Sequence, residues 1–154
     1  MESARKYVTY DGRFRMHHAG HLESPTFAYE TWGRLNENRD NAVLIFTGLS
    51  PSAHVTSSIE DPTPGWWEDM VGTEHPIDTE RYFVICVNSL GSCFGTTGPA
   101  SENPATGKRY GLDFPLLTLE DVAESAWYVV QQLGIDVLHT VVGCSMGGMT
   151  GLAF

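Results

Sequence analysis

The strongest restriction on the fold of this chain lies near its carboxyl end, in His139–Thr140–Val141–Val142–Gly143–Cys144–Ser145–Met146–Gly147–Gly148–Met149. A β-branched apolar run leads into G-x-S-x-G, and an apolar, helix-compatible stretch follows. A strand that turns sharply into a helix brings the positions two residues either side of the turn into close approach. Gly143 and Gly147 carry no Cβ there, and the Ser145 hydroxyl is left projecting from the corner. The N–H after such a serine points toward the reacting oxygen, and the start of the helix adds a field that favours negative charge. Ser145 is therefore the candidate nucleophile, and the Met146 N–H a candidate donor to an oxyanion. Cys144 occupies an x position of the motif, so it is expected to point away from the corner as a buried free cysteine.

Two further apolar runs, 42–46 (AVLIF) and 82–87 (YFVICV), suit strands covered on both faces of a parallel sheet. Between the second of these and His139, Thr118 to Asp121 (TLED) reads as a capping box. Leu119, Val122, Ala126, Val129, Val130 and Leu133 then recur at helical spacing, and Gly134 stops the helix. Strand, helix and strand in that order predict a right-handed βαβ crossover. Nearer the amino end, residues 14–22 and 27–35 read as two strands joined by a turn at Glu23, Ser24 and Pro25. The expected class is α/β: a mostly parallel sheet with an N-terminal antiparallel hairpin.

Long loops, 47–78 and 88–115, follow two of the predicted strands. Ligands in open α/β sheets bind beyond the carboxyl ends of the strands, so both loops are placed to build a site. A second oxyanion donor in this arrangement comes from the loop after an earlier strand. That loop reads Thr47–Gly48–Leu49–Ser50–Pro51–Ser52–Ala53–His54, and the Leu49 N–H is the candidate. His54 is expected either to touch substrate or to hold the loop backbone.

The chain has 154 residues and a formal net charge of −10, so phosphate backbones and anionic lipid surfaces are poor partners. Three cysteines without CxxC spacing suggest a reducing, cytoplasmic setting. The amino end has no apolar leader, and no apolar run is long enough to span a bilayer. His17, His18 and His21 raise the thought of a metal. As a strand, however, residues 17 and 21 lie about 13 Å apart, too far to share one ion, so no metal site is expected. No glycine pattern matches a phosphate-binding loop, and Cys93 is expected to fill space beneath the corner. Trp66 and Trp67 are expected to cover the core edge. Glu60, Asp61, Glu68 and Asp69 are expected to form a solvated face.

Several segments together carry a resemblance. FAYETWGRL (27–35), DPTPGWWEDMVG (61–72), NSLGSCFGTTGPAS (88–101), YGLDFP (110–115) and VVGCSMGGM (141–149) are similar to the N-terminal part of the homoserine/serine O-acyltransferase family of α/β-hydrolase enzymes. The resemblance covers nearly the whole chain. It implies an acyl-CoA co-substrate with no bound cofactor, transfer to a side-chain hydroxyl by way of acyl-Ser145, and a cytoplasmic homodimer serving methionine or cysteine synthesis. It maps the oxyanion donors onto Leu49 and Met146. Homoserine acetyltransferases usually read T-G-D-A-H in the first loop. Here Pro51, Ser52, Ala53 and His54 resemble the serine O-succinyltransferase branch, which makes them the candidate specificity residues. Loss of the acid at Ser52 would ease entry of an anionic succinyl group. Serine with succinyl-CoA is the first expectation, homoserine with acetyl-CoA the second, and an esterase or thioesterase on the same corner the third. Triad order in this fold is Ser, then Asp or Glu, then His, and none of these acids or histidines follows Ser145. The 154 residues are thus expected to be the N-terminal portion of a single catalytic domain, truncated shortly after the nucleophile corner and inactive alone.

Overall fold

A computed structural model describes residues 4–154. The strands in chain order are β1 (Lys6–Thr9), β2 (Arg13–Arg15), β3 (His21–Glu23), β4 (Thr26–Trp32), β5 (Ala42–Phe46), β6 (Val71–Gly72), β7 (Ile77–Asp78), β8 (Phe83–Val87), β9 (Glu102–Asn103), β10 (Lys108–Arg109) and β11 (Thr140–Gly143). Helix α1 (Leu119–Gln132) lies between β10 and β11, and α2 (Met146–Ala153) follows β11. No helix among the described residues is long and apolar enough to cross a membrane.

Five strands form the central sheet in the order β1-β4-β8-β5-β11. β5 pairs in parallel with β8 and with β11, whereas β4 runs antiparallel to β8 and to β1. Four of the five strands therefore point the same way, as the mostly parallel class requires. All five β5 residues are buried. Ala42, Leu44 and Phe46 join Ile85 and Val87 on the face that receives Val122, Ala126, Val129 and Val130 of α1. Val43 and Ile45 join Val84 and Cys86 on the other face, beneath Val55, Val71 and Trp67. The period of two assigns alternate residues to two cores, which is why the runs are apolar throughout rather than alternating.

Helix α1 begins as its sequence predicts. Asp121 N–H donates to Thr118 Oγ1 at 3.3 Å, and Thr118 N–H donates to Asp121 Oδ2 at 2.8 Å. Asp121 Oδ1 also accepts the His17 N–H at 2.7 Å, which satisfies a fully buried carboxylate and ties the amino-terminal segment to the helix. Gly134 ends the helical stretch at φ 72°.

The amino-terminal expectation needs correction. Residues 14–22 do not form one strand paired with β4. They fold back on themselves, with β2 and β3 pairing antiparallel and Met16 N–H closing the turn on Gly20 O at 3.1 Å. The antiparallel partner of β4 is β1, with Tyr7 opposite Ala28. Gly20, at φ 87°, permits a tight reversal that residues with a Cβ disfavour. The predicted turn at Ser24 is present, at φ 44°.

Candidate active site

The register aligns the carboxyl ends of three parallel strands. Phe46 lies opposite Val87 on one side and Gly143 on the other. The chain therefore leaves β5, β8 and β11 at one edge of the sheet, and both long loops start beside the β11–α2 corner. Thr47 Oγ1 and Ser89 Oγ lie 3.1 Å apart across the first two exits.

At the corner, Ser145 has φ 54° and ψ −126° and is exposed. A non-glycine residue in this region is strained, and such strain persists only where the surroundings impose it. The glycines impose it here. A Cβ on Gly143 would run into the Gly147 carbonyl group, and one on Gly147 would meet the Phe46 carbonyl oxygen and lie 2.7 Å from that of Thr47. Gly48 also approaches, its Cβ position being 3.9 Å from Ser145 Cβ and 3.8 Å from the Cys144 carbonyl oxygen. The loop that follows β5 thus sits against the corner.

Gly147 N–H and Gly148 N–H close the first turn of α2 on Cys144 O and Ser145 O at 2.9 and 3.0 Å. The Met146 N–H takes no such acceptor, and neither does the Leu49 N–H among the described residues. Leu49 and Met146 line the same cavity of about 350 Å³, with Ser89, Ser92, Leu117 and Val122 around them. The Ser92 hydroxyl is buried without a hydrogen-bond partner among the described residues. A larger cavity of about 760 Å³ lies elsewhere, between Trp127, Val137 and Phe154, and includes none of the candidate residues.

The remaining loop candidates are held, not free. Ala53 is buried, and its N–H donates to Asn88 Oδ1 at 2.6 Å. The Ser52 carbonyl accepts from Trp66 Nε1 at 2.8 Å, and its hydroxyl accepts the His54 N–H at 3.2 Å. Pro51 is half-buried beside Gly48. Both nitrogens of the His54 ring are occupied, Nδ1 by Glu30 Oε2 and Nε2 by the Thr63 carbonyl, each at 2.8 Å. Of the two expectations for His54, the geometry shows loop anchoring. Burial lowers its pKa, but hydrogen bonds to Thr63 and Glu30 and the negative charges of Glu30 and Asp61 outweigh burial and raise it above 6.5.

Four expectations fail. Cys144 is exposed, because it leaves an edge strand whose one neighbour among the described residues is β5. Cys93 is exposed as well and fills no space beneath the corner. Glu68 is no solvated acid: it accepts from Thr56 Oγ1 at 3.0 Å and from Ser57 N–H at 2.6 Å, bracing the first loop. The strand argument that set His17 and His21 apart also fails, since a turn separates them. His17 pairs with Glu124 and His21 with Glu23, each at 3.1 Å. Trp66 and Trp67, stacked 5.1 Å apart, do cover the edge of the second core.

Sequence reasoning missed Glu30 and Asn88. Both carried a signal, since each is a polar residue set into or against an apolar strand, where burial without a partner is costly.

The chain was compared with known proteins. Residues 41–154 match the family model described as the alpha/beta hydrolase fold. A serine O-succinyltransferase of Litchfieldella anticariensis is 59% identical over the full 154 residues, which span 42% of that protein. A crystal structure of homoserine O-acetyltransferase from Bacillus anthracis superposes with TM-score 0.89 at 34% identity, over 97% of this chain and 42% of that one. Esterase E22 superposes with TM-score 0.86, also at 34% identity, over 95% of this chain and 42% of that one.

Proposed function

The chain belongs to the α/β-hydrolase fold family, and from that premise we propose that it is the nucleophile-bearing, N-terminal portion of an acyl-CoA-dependent O-acyltransferase. The observation that carries the reading is the corner itself: an exposed serine at φ 54°, next to Met146, which lines one cavity together with Leu49, the N–H groups of both having no acceptor among the described residues. Ser145 Oγ attacks the thioester carbonyl and gives up its proton to a general base. The resulting oxyanion is held by the N–H groups of Leu49 and Met146, and CoA leaves as the thiol. The hydroxyl of the acceptor amino acid then attacks the acyl-serine, which restores Ser145 and releases the ester. Each oxyanion donor contributes roughly 3 kcal/mol to lowering the barrier in enzymes of this kind.

The acceptor is L-serine and the donor succinyl-CoA. Support comes from the Pro51–Ser52–Ala53–His54 loop, which lacks an acid at position 52, and from the succinyltransferase relative. Homoserine with acetyl-CoA is the second reading, favoured by the superposition on the Bacillus anthracis structure. No metal takes part, the cytoplasm is the setting, and the full-length enzyme is a homodimer. The base and its acid partner are assigned to the part of the full-length enzyme beyond the 42% that this chain spans of its succinyltransferase relative.

The test measures CoA release by the full-length protein from succinyl-CoA and from acetyl-CoA, with and without serine or homoserine. Serine-dependent release from succinyl-CoA is expected, together with an acyl adduct by intact mass that disappears in Ser145→Ala. CoA release indifferent to either amino acid would instead mark a hydrolase. Robust turnover by the 154-residue chain alone would sink the proposed triad order.

A further inference from the structure

We propose that Glu30 and His54 form a proton-holding clamp that positions the loop bearing the Leu49 N–H against the Ser145 corner. The proposal rests on reading Leu49 as an oxyanion donor. Glu30 belongs to β4 and lies opposite Cys86 of β8, the central strand of the sheet. Its side chain is 2% exposed and that of His54 13%. A carboxylate so placed needs a partner that can neutralise it, and the ring nitrogen at 2.8 Å is that partner.

The hydrogen bonds decide where the protons are. The Thr63 carbonyl has no hydrogen to give, and the Thr63 hydroxyl, 3.3 Å from Nε2, gives its own to Asp61 Oδ1 at 2.6 Å, so Nε2 donates to the carbonyl. Nδ1 faces the Glu30 carboxylate at 2.8 Å and donates to it, so the ring carries a proton on both nitrogens. The pair then holds one proton more than a neutral histidine beside a free carboxylate would. Removing that proton sets a lone pair against a carboxylate in a site with little water.

The loop is tied at its far end by this pair and between by Ala53 and Ser52, which bond to Asn88 and Trp66. Leu49, 82% exposed, has no side-chain anchor of its own and takes its position from these bonds. His54 and Glu30 are thus positioning residues. Besides Glu30 from β4, the charged group facing His54 is Asp61 of its own loop, with Arg5 acting on Asp61. Cys86 is the titratable group beside Glu30.

The test is an NMR titration of the full-length protein labelled with nitrogen-15, with the ring signals of His54 assigned through His54→Gln. Both ring nitrogens should be protonated at neutral pH, and the Leu49 amide signal should shift with the same midpoint as the ring. In Glu30→Gln, which keeps size but removes the charge, the ring midpoint should fall. Exchange of the Ala53 amide should quicken about ten-fold while α1 amides hold, as expected on losing one charge-assisted hydrogen bond. A ring that is neutral at pH 7, or a Leu49 amide that stays flat through the His54 titration, overturns the clamp. The titration of unsubstituted protein decides the matter even if Glu30→Gln fails to fold. A full-length protein that titrates as described but transfers no acyl group refutes the activity and leaves the clamp standing.

Discussion

The Ala53 N–H donates to Asn88 Oδ1 at 2.6 Å, and the same side chain gives its amide hydrogens to the Phe94 carbonyl at 2.9 Å. One fully buried asparagine thus laces together the loops that leave β5 and β8. Asn88→Ala strands a buried donor and a part-buried acceptor at once. A loss of about 2–4 kcal/mol is expected, read as a lower urea midpoint at unchanged slope. A loss below about 0.5 kcal/mol would show that the loops do not depend on this link.

Glycines at the corner differ in kind, and the difference can be measured. In Gly147→Ala the new methyl meets the carbonyl oxygens of Phe46 and Thr47, backbone that cannot turn aside. Destabilisation of about 3 kcal/mol or more is expected, because the strand and helix must separate. Gly151, also in α2, offers ordinary space, with its nearest contact 3.5 Å from Val141 Cγ1. Gly151→Ala should be neutral or stabilise by up to about 1 kcal/mol through helix propensity. Thermal melts of the two variants give the contrast, and equal costs would disprove it.

Ser145 stores backbone strain at φ 54°. Ser145→Gly and Ser145→Ala both remove the hydroxyl, so both should abolish acyl-enzyme formation. Only glycine relieves the strain, and it should exceed alanine in stability by about 1 kcal/mol. Equal stabilities would mean that the corner relaxes and holds no strain.

The raised pKa of His54 has a definite sign for stability. Folding binds a proton at this site that the unfolded chain gives up more readily. The contribution is complete below pH 6.5 and is lost as pH rises through the elevated folded pKa. Glu68 acts at the opposite end. Burial alone would raise its pKa, but the hydrogen bonds from Gly65, Ser57 and Thr56 lower it below 4.5, so its contribution is lost as pH falls through that lower value. Denaturant midpoints measured against pH should decline on both limbs. Glu30→Gln should flatten the alkaline limb and Glu68→Gln the acid one, and a limb that ignores its variant refutes that assignment.

Much of this was legible in the residues. The two buried strands, the capping box of α1, the stop at Gly134 and the tight corner follow from local rules: apolar runs, side-chain caps and backbone permissiveness. The bend at Ser145 could be placed because its flanking glycines tie a tight turn to a short stretch of backbone. The first strand pairing was misread, since one apolar pattern spanning 14–22 suits a long strand as well as a hairpin folded at Gly20. Cys144 was misplaced because exposure depends on which strand ends the sheet, and no local pattern records that.

By itself, then, the order of residues determined the class of fold, the helix that crosses it and the bend that presents one hydroxyl. The partnerships at a distance were decided only in three dimensions: Glu30 with His54, Asn88 with Ala53, Asp121 with His17. The physical reason is one of range. Caps, turns and periodicity act between neighbours a few residues apart, whereas a buried charge is satisfied by whichever group the folded sheet brings near, here 24 or more positions away along the chain.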